Sequence, residues 1–261
     1  MNIFSLRPLS LSHRAWVFLL AGLLLLTGCS SGPSAAEKRL MAQRKFEEAQ
    51  NSGPDLQVRI KKLKEAILLS RKEPMYRVAL GNTYFRNSEY DKAERLYLSA
   101  IKVNREFVGA YRPLGRLYMQ KGDWDKALYY LDRALRQPNL SDPIQLHNWK
   151  AYCYYRKRDL QKAEKAWLAA LDIHESEEIR LNLALAYREA NELQLARESL
   201  LKALELNPKL MGAHFALGDI YYRSNKLDQA KKHFTEVIHL EPLSDQAQAS
   251  RKILKQLAKK K

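Results

Sequence analysis

Cysteine is scarce in this chain, which has two in 261 residues, Cys29 and Cys153. With Cys29 committed to the N-terminal processing segment, Cys153 has no partner and no intramolecular disulfide holds the fold. Nor is there a spanning segment near the start. The apolar run Ala15 to Leu26 is twelve residues, short of the roughly 20 that a membrane-crossing helix needs. Motifs that announce catalysis are missing: no P-loop, no G-x-S-x-G and no H-E-x-x-H. His147, His174, His214, His233 and His239 share no metal-ligand spacing. The clustered carboxylates Glu175, Glu177 and Glu178 stand at a helix start, where acids favour the dipole. The expectation is a chain without catalytic residues, metal or cofactor, and not an enzyme.

Residues 1–28 read as an export signal, with Arg7 and Arg14 forming the positive region ahead of the apolar run. Leu26-Thr27-Gly28-Cys29 resembles the bacterial lipobox, whose cysteine is lipid-modified and becomes the mature N-terminus. Cys29 is therefore the expected lipidation site, and residues 29–35 a flexible tether. By resemblance to lipoproteins with a non-acidic residue after the cysteine, Ser30 directs the chain to the outer membrane, facing the periplasm.

Acidic residues are outnumbered, 29 against 45 Lys and Arg, for a net charge of +16. Such a balance suits nucleic acid, anionic lipid, an acidic polymer or an acidic protein. Export removes nucleic acid. The Lys259-Lys260-Lys261 tail reads as a solvated helix end that complements the dipole.

What is abundant is a spacing. Ala93, Ala127, Ala163, Ala196 and Ala230 recur at intervals of 34, 36, 33 and 34 residues. Each is preceded by a small residue (Gly81, Gly115, Ala151, Ala184, Gly218) and, three residues later, a tyrosine (Tyr84, Tyr118, Tyr154, Tyr187, Tyr221). A small residue midway along one helix lets a second approach closely, and the ring fills the space beside the contact. Turn signals separate the two helices, and Pro208 and Pro242 stop second helices. Pro113 falls inside an opening helix and is expected near its first turn. In the column before each tyrosine, Cys153 keeps company with Thr83, Leu117, Ala186 and Ile220, so its thiol is expected to be buried and inert.

This pattern resembles the tetratricopeptide repeat (TPR). It implies an all-α solenoid of helix–turn–helix hairpins: five units over 74–244, a degenerate N-terminal repeat over 36–73 and a capping helix with basic tail over 245–261. Departures are Lys150, where leucine is usual, and Arg59, where alanine is usual. Ile253, Leu254 and Leu257 are expected to cover the last hairpin.

In tetratricopeptide proteins the first helices line a groove. Carrying those columns over gives Asn82, Phe85, Arg86, Arg112, Arg116, Asn148, Tyr152, Tyr155, Arg156, Arg188, Phe215, Tyr222 and Arg223 as a partner-binding stripe. Aromatic and arginine side chains are the usual carriers of binding energy.

A lipidated outer-membrane chain of about six such units resembles the type IV pilus pilotins, the PilF/PilW/Tgl group. That resemblance implies a protein client, a secretin subunit or other pilus component, and membrane contact through the N-terminal lipid. A scaffold of this kind equally fits an adaptor docking peptidoglycan hydrolases or synthases, or a part of outer-membrane protein insertion or polysaccharide export.

Overall fold

The computed structural model describes residues 32–105, 107–137 and 142–259, and among them every regular element is helical. Cys29 and residues 1–28, expected to be an export signal, lie outside the described residues. The chain divides into two compact units, Met1–Arg71 and Lys72–Lys261.

In the first unit, α1 (Ala35–Gln50) opens on a capping box: Ser34 Oγ accepts from the Glu37 amide at 3.2 Å, and the Glu37 carboxylate accepts from the Ser34 amide at 2.6 Å. α2 (Leu56–Leu69) starts where Asp55 accepts from the Gln57 and Val58 amides. The two helices pack as a hairpin, with Ala42, Ala49, Ile60, Leu63 and Ala66 buried. The unexpected Arg59 ties the turn down, donating to the Ala49 carbonyl at 3.3 Å and the Gly53 carbonyl at 2.5 Å.

The second unit is five hairpins in series: α3 (Pro74–Arg86) with α4 (Tyr90–Val103), α5 (Tyr111–Lys121) with α6 (Trp124–Leu135), α7 (Pro143–Arg156) with α8 (Leu160–Leu171), α9 (Glu177–Glu189) with α10 (Leu193–Leu206), and α11 (Met211–Arg223) with α12 (Leu227–Leu240). Each second helix also packs on the first helix of the next hairpin. The small-residue column explains the close approach. A Cβ on Gly81 would lie 2.5 Å from Tyr97, one on Gly115 2.7 Å from Leu131 and one on Gly218 2.8 Å from Phe234. Ala151 and Ala184, at the same position, are buried in a core shared with Trp167 and Leu200.

Every turn inside these five hairpins is built alike. Ser88, Gly122, Arg158, Asn191 and Asn225, all five residues before the marker alanine, have positive φ of 60°, 76°, 64°, 61° and 55°. One residue on, the amide donates back to the tyrosine carbonyl of the first helix, as Glu89 to Tyr84 and Asp123 to Tyr118 at 2.9 Å. This closes each helix with a left-handed residue and satisfies a terminal carbonyl. Pro113 sits in the first turn of α5, behind the short 3-10 turn Val108–Ala110. Lys150 is half-buried and its ammonium pairs with Asp132 of the preceding hairpin at 2.7 Å. Cys153 is fully buried, and burial pushes its thiol up to about 12, which leaves it inert. α13 (Asp245–Lys259) packs on α12, with Leu257 buried and Ile253 and Leu254 against the core.

Candidate functional site: a groove on the first helices

The first helices α3, α5 and α7 enclose a cavity of 810 Å³ whose walls include Asn82, Phe85, Arg86, Arg112, Arg116 and Trp149. It continues into a second of 480 Å³ bounded by Trp124, Tyr152 and Arg156, the two sharing Arg116 and Trp149. The size is that of ordinary ligand and peptide sites.

Inside this groove Arg112, Arg116 and Arg156 lie over aromatic rings. The Arg116 guanidinium lies 5.0 Å from the centre of Phe85, Arg112 lies 5.3 Å from Trp149, and Arg156 lies 4.8 Å from Trp124 and 5.7 Å from Tyr152. Arg156 also donates to the Tyr152 hydroxyl at 2.9 Å. Arg112 is neutralised by Asp142 at 3.0 Å. Arg86, Arg116 and Arg156 have no carboxylate within ion-pair distance among the described residues. At the floor, the Tyr97 hydroxyl donates to Asn82 Oδ1 at 2.8 Å. Burial pushes the Tyr97 phenol well above its usual range, with the Arg116 and Arg86 charges acting against that rise.

The stripe expected from the sequence divides here. Asn82, Phe85, Arg86, Arg112, Arg116, Tyr152 and Arg156 line the cavities. Asn148 does not reach this surface. It is buried, and its Oδ1 accepts from Trp167 Nε1 at 2.9 Å, a bond the buried indole requires. Tyr155 leans on Trp167, with ring centres 6.0 Å apart, and its hydroxyl donates to Glu189, which Arg158 also holds at 2.7 Å. Burial and that bond push the Tyr155 phenol up to about 12. Further along, Arg188 and Arg223 converge on one carboxylate, Asp219, at 3.8 and 3.0 Å. Phe215 packs edge-on against Phe234 at 5.9 Å, and Tyr222 packs against the core.

Trp149 and Trp124 are groove residues that the carried-over columns miss. A signal for Trp149 exists: Gln145, Trp149, Tyr152 and Arg156 recur at helical spacing along α7, and all four line the cavities.

Family models described as tetratricopeptide repeat match residues 78–142 and 212–244, and one described as TPR repeat matches 184–225. The chain carries tetratricopeptide repeats. These repeats form a scaffold for protein–protein contact. The chain is 30% identical over 184 residues to the anaphase-promoting complex subunit CDC16 of Saccharomyces cerevisiae, a match over 66% of this chain and 21% of that protein. Among solved structures it is similar to PilW, described as a widely conserved type IV pilus biogenesis factor, with a TM-score of 0.69 and 17% identity over 80% of this chain and 97% of PilW. It is similar also to PilF of Pseudomonas aeruginosa, with a TM-score of 0.67 and 13% identity over 83% and 98%. The chain thus spans about a fifth of the curated relative, whereas it spans nearly all of the two pilus proteins.

Proposed function

We propose that this protein is a non-catalytic docking factor, anchored in the outer membrane through lipid on Cys29, that holds a segment of a client protein in the groove of the first three of the five hairpins of its second unit. The observation that carries this reading is the pair of adjoining cavities lined by aromatic rings and arginines, the residue types that concentrate binding energy at interfaces. The client proposed is a subunit of the pilus secretin, and the role that of a pilotin. The similarity in fold and extent to PilW and PilF supports this choice over a cell-wall adaptor.

A photo-crosslinker at Gln145, which faces the larger cavity, tests it in cells. The expected product joins the protein to the secretin subunit, and deletion of the gene is expected to lose secretin multimers and surface pili. Trapping of a peptidoglycan hydrolase or synthase, with normal pili and altered cell shape, replaces the pilotin role with the adaptor role. Cys29→Ser is expected to leave the repeats folded and release them from the membrane on fractionation. Retention of that variant after a high-salt wash overturns the lipid anchor.

A further inference from the structure

Resting on the groove reading above, we infer that the segment bound there is acidic, and that its carboxylates are taken by Arg86, Arg116 and Arg156 within the first three hairpins of the second unit, leaving the last two hairpins out of the contact.

The argument begins with which charges are already spent. Of the six arginines along the stripe, Arg86, Arg116, Arg156 and Arg223 are exposed and Arg112 and Arg188 half-buried, yet Arg112 is matched by Asp142, and Arg188 and Arg223 share Asp219. Glu189 at the end of α9 is held by Arg158 and the Tyr155 hydroxyl. These stripe charges of the fourth and fifth hairpins are therefore already matched, Glu189 by the third hairpin and Arg188 and Arg223 by Asp219. Arg86, Arg116 and Arg156 have no such carboxylate among the described residues, and all three line the two adjoining cavities.

Their geometry suits a carboxylate. A guanidinium stacked by its face on a ring keeps the N–H donors of its edge for a planar, two-pronged acceptor. The Arg116 guanidinium lies over the Phe85 ring at 5.0 Å, and that of Arg156 over Trp124 and Tyr152. These ring contacts also restrain the long side chains beforehand, so less freedom is lost when an anion arrives. The neutral lining leans the same way. Because Asn82 Oδ1 accepts from Tyr97, its amide N–H groups remain as donors on the cavity wall. Together with the arginines of the same walls, these donors fit carboxylates and peptide carbonyls. Phe85, Val108 and Trp149 in the same wall provide apolar surface for side chains between the acids, which favours a polypeptide over a uniformly polar anionic polymer.

The test uses the full-length lipidated protein in detergent and, as probe, a fluorescein-labelled synthetic peptide of alternating Glu and Gly with a central Phe, followed by anisotropy. The glutamine version of the peptide, an oligogalacturonate and phosphatidylglycerol vesicles are the comparisons. The Glu peptide is expected to bind, and to weaken when salt is raised to about 0.5 M. Arg86→Gln with Arg116→Gln and Arg156→Gln is expected to weaken it by about thirtyfold or more. Arg188→Gln with Arg223→Gln is expected to change it by less than about twofold. Circular dichroism checks that each variant stays helical. Failure of the Glu peptide to bind, equal binding of the Gln peptide, or equal loss in the Arg188/Arg223 variant overturns the inference. So does tighter binding of the oligogalacturonate or the vesicles through the same arginines. The groove reading is tested separately: a crosslink at Gln145 to a client segment without acidic residues preserves the groove and sinks only the acidic ligand, whereas the absence of any crosslink at Gln145 sinks the groove itself.

Discussion

The first three hairpins of the second unit and its last two are built on one core plan and finished with different surfaces. In both regions a small residue of the first helix meets a large side chain four residues past the marker alanine, Gly115 against Leu131 in one and Gly218 against Phe234 in the other. On the groove side the likeness ends. Phe85 and Trp149 line open cavities and support arginines, whereas Phe215 is packed on Phe234 and the arginines beyond it are matched by Asp219. A repeat plan constrains what faces the neighbouring helix and leaves the other face free to vary, so likeness between repeats says where helices lie and difference between them says where a partner sits.

The largest expected effect tests the shared plan. A Cβ alone on Gly115 would lie 2.7 Å from Leu131 Cδ2, and one on Gly218 2.8 Å from Phe234 Cε1. Gly115→Leu and Gly218→Leu should each cost stability near the upper end of the roughly 1 to 3 kcal/mol typical of overpacking, a fall of several degrees in the midpoint of a thermal melt followed by circular dichroism. Similar losses sharpen the equivalence of the two regions. An unchanged melt for either variant breaks it.

The next effect tests the difference. Phe85 is half-buried, 5.5 Å from Tyr90 and 5.0 Å from Arg116, so Phe85→Ala removes both a wall of the cavity and the platform under an arginine. Client capture should weaken by about 2 kcal/mol, roughly thirtyfold, with a smaller effect on the melt. Phe215→Ala should do the reverse, lowering stability by about 1 to 3 kcal/mol through lost packing and leaving capture intact. Capture by purified variants, measured beside their melts, separates the two. Loss of capture in Phe215→Ala extends the groove into the last hairpins.

Much of the fold was legible because close packing leaves few choices. The glycine, alanine and tyrosine columns answer to contacts between helices, so their period located the hairpins, and Pro113 could occupy only a first turn. Charges and amides were harder. Asn148 stands in the same column as the groove residue Arg112, but a buried indole on α8 needs an acceptor and takes it. Lys150 looked out of place because its partner Asp132 belongs to another hairpin. The left-handed backbone at Ser88 and Arg158 gave no residue signal, since glycine or asparagine occupies that turn position in the other hairpins. For the groove, the columns reached Phe85, Arg86, Arg116 and Arg156, which line the cavities, but could not say which arginines already had partners, because Asp142 and Asp219 reach them across helix boundaries.

The smallest effect concerns one position at which the two regions differ inside the shared plan. In the second hairpin Tyr111, Tyr130 and Tyr118 stack, with ring centres 6.4 and 5.4 Å apart. In the fifth, the equivalent residues are His214, His233 and Tyr221, at 5.2 and 5.5 Å. His214 Nε2 lies 2.9 Å from the Pro208 carbonyl, so it donates there, and its Nδ1 accepts from His233 Nδ1 at 3.0 Å. Burial first, then the charges of His214 and Lys232 against a weaker pull from Glu236, hold His233 down at about 4. In the unfolded chain a histidine titrates near 6.5. As pH falls, the unfolded state therefore takes up this proton first, so the contribution of His233 is whole above about 6.5 and is lost as pH falls toward about 4. His233→Tyr recreates the Tyr130 arrangement at the same register and removes that proton from the balance. Urea unfolding at pH 7.5 and pH 5 should show a smaller drop in stability for His233→Tyr than for the parent, and an equal drop in both would mean that the two triads differ in composition without differing in their response to protons.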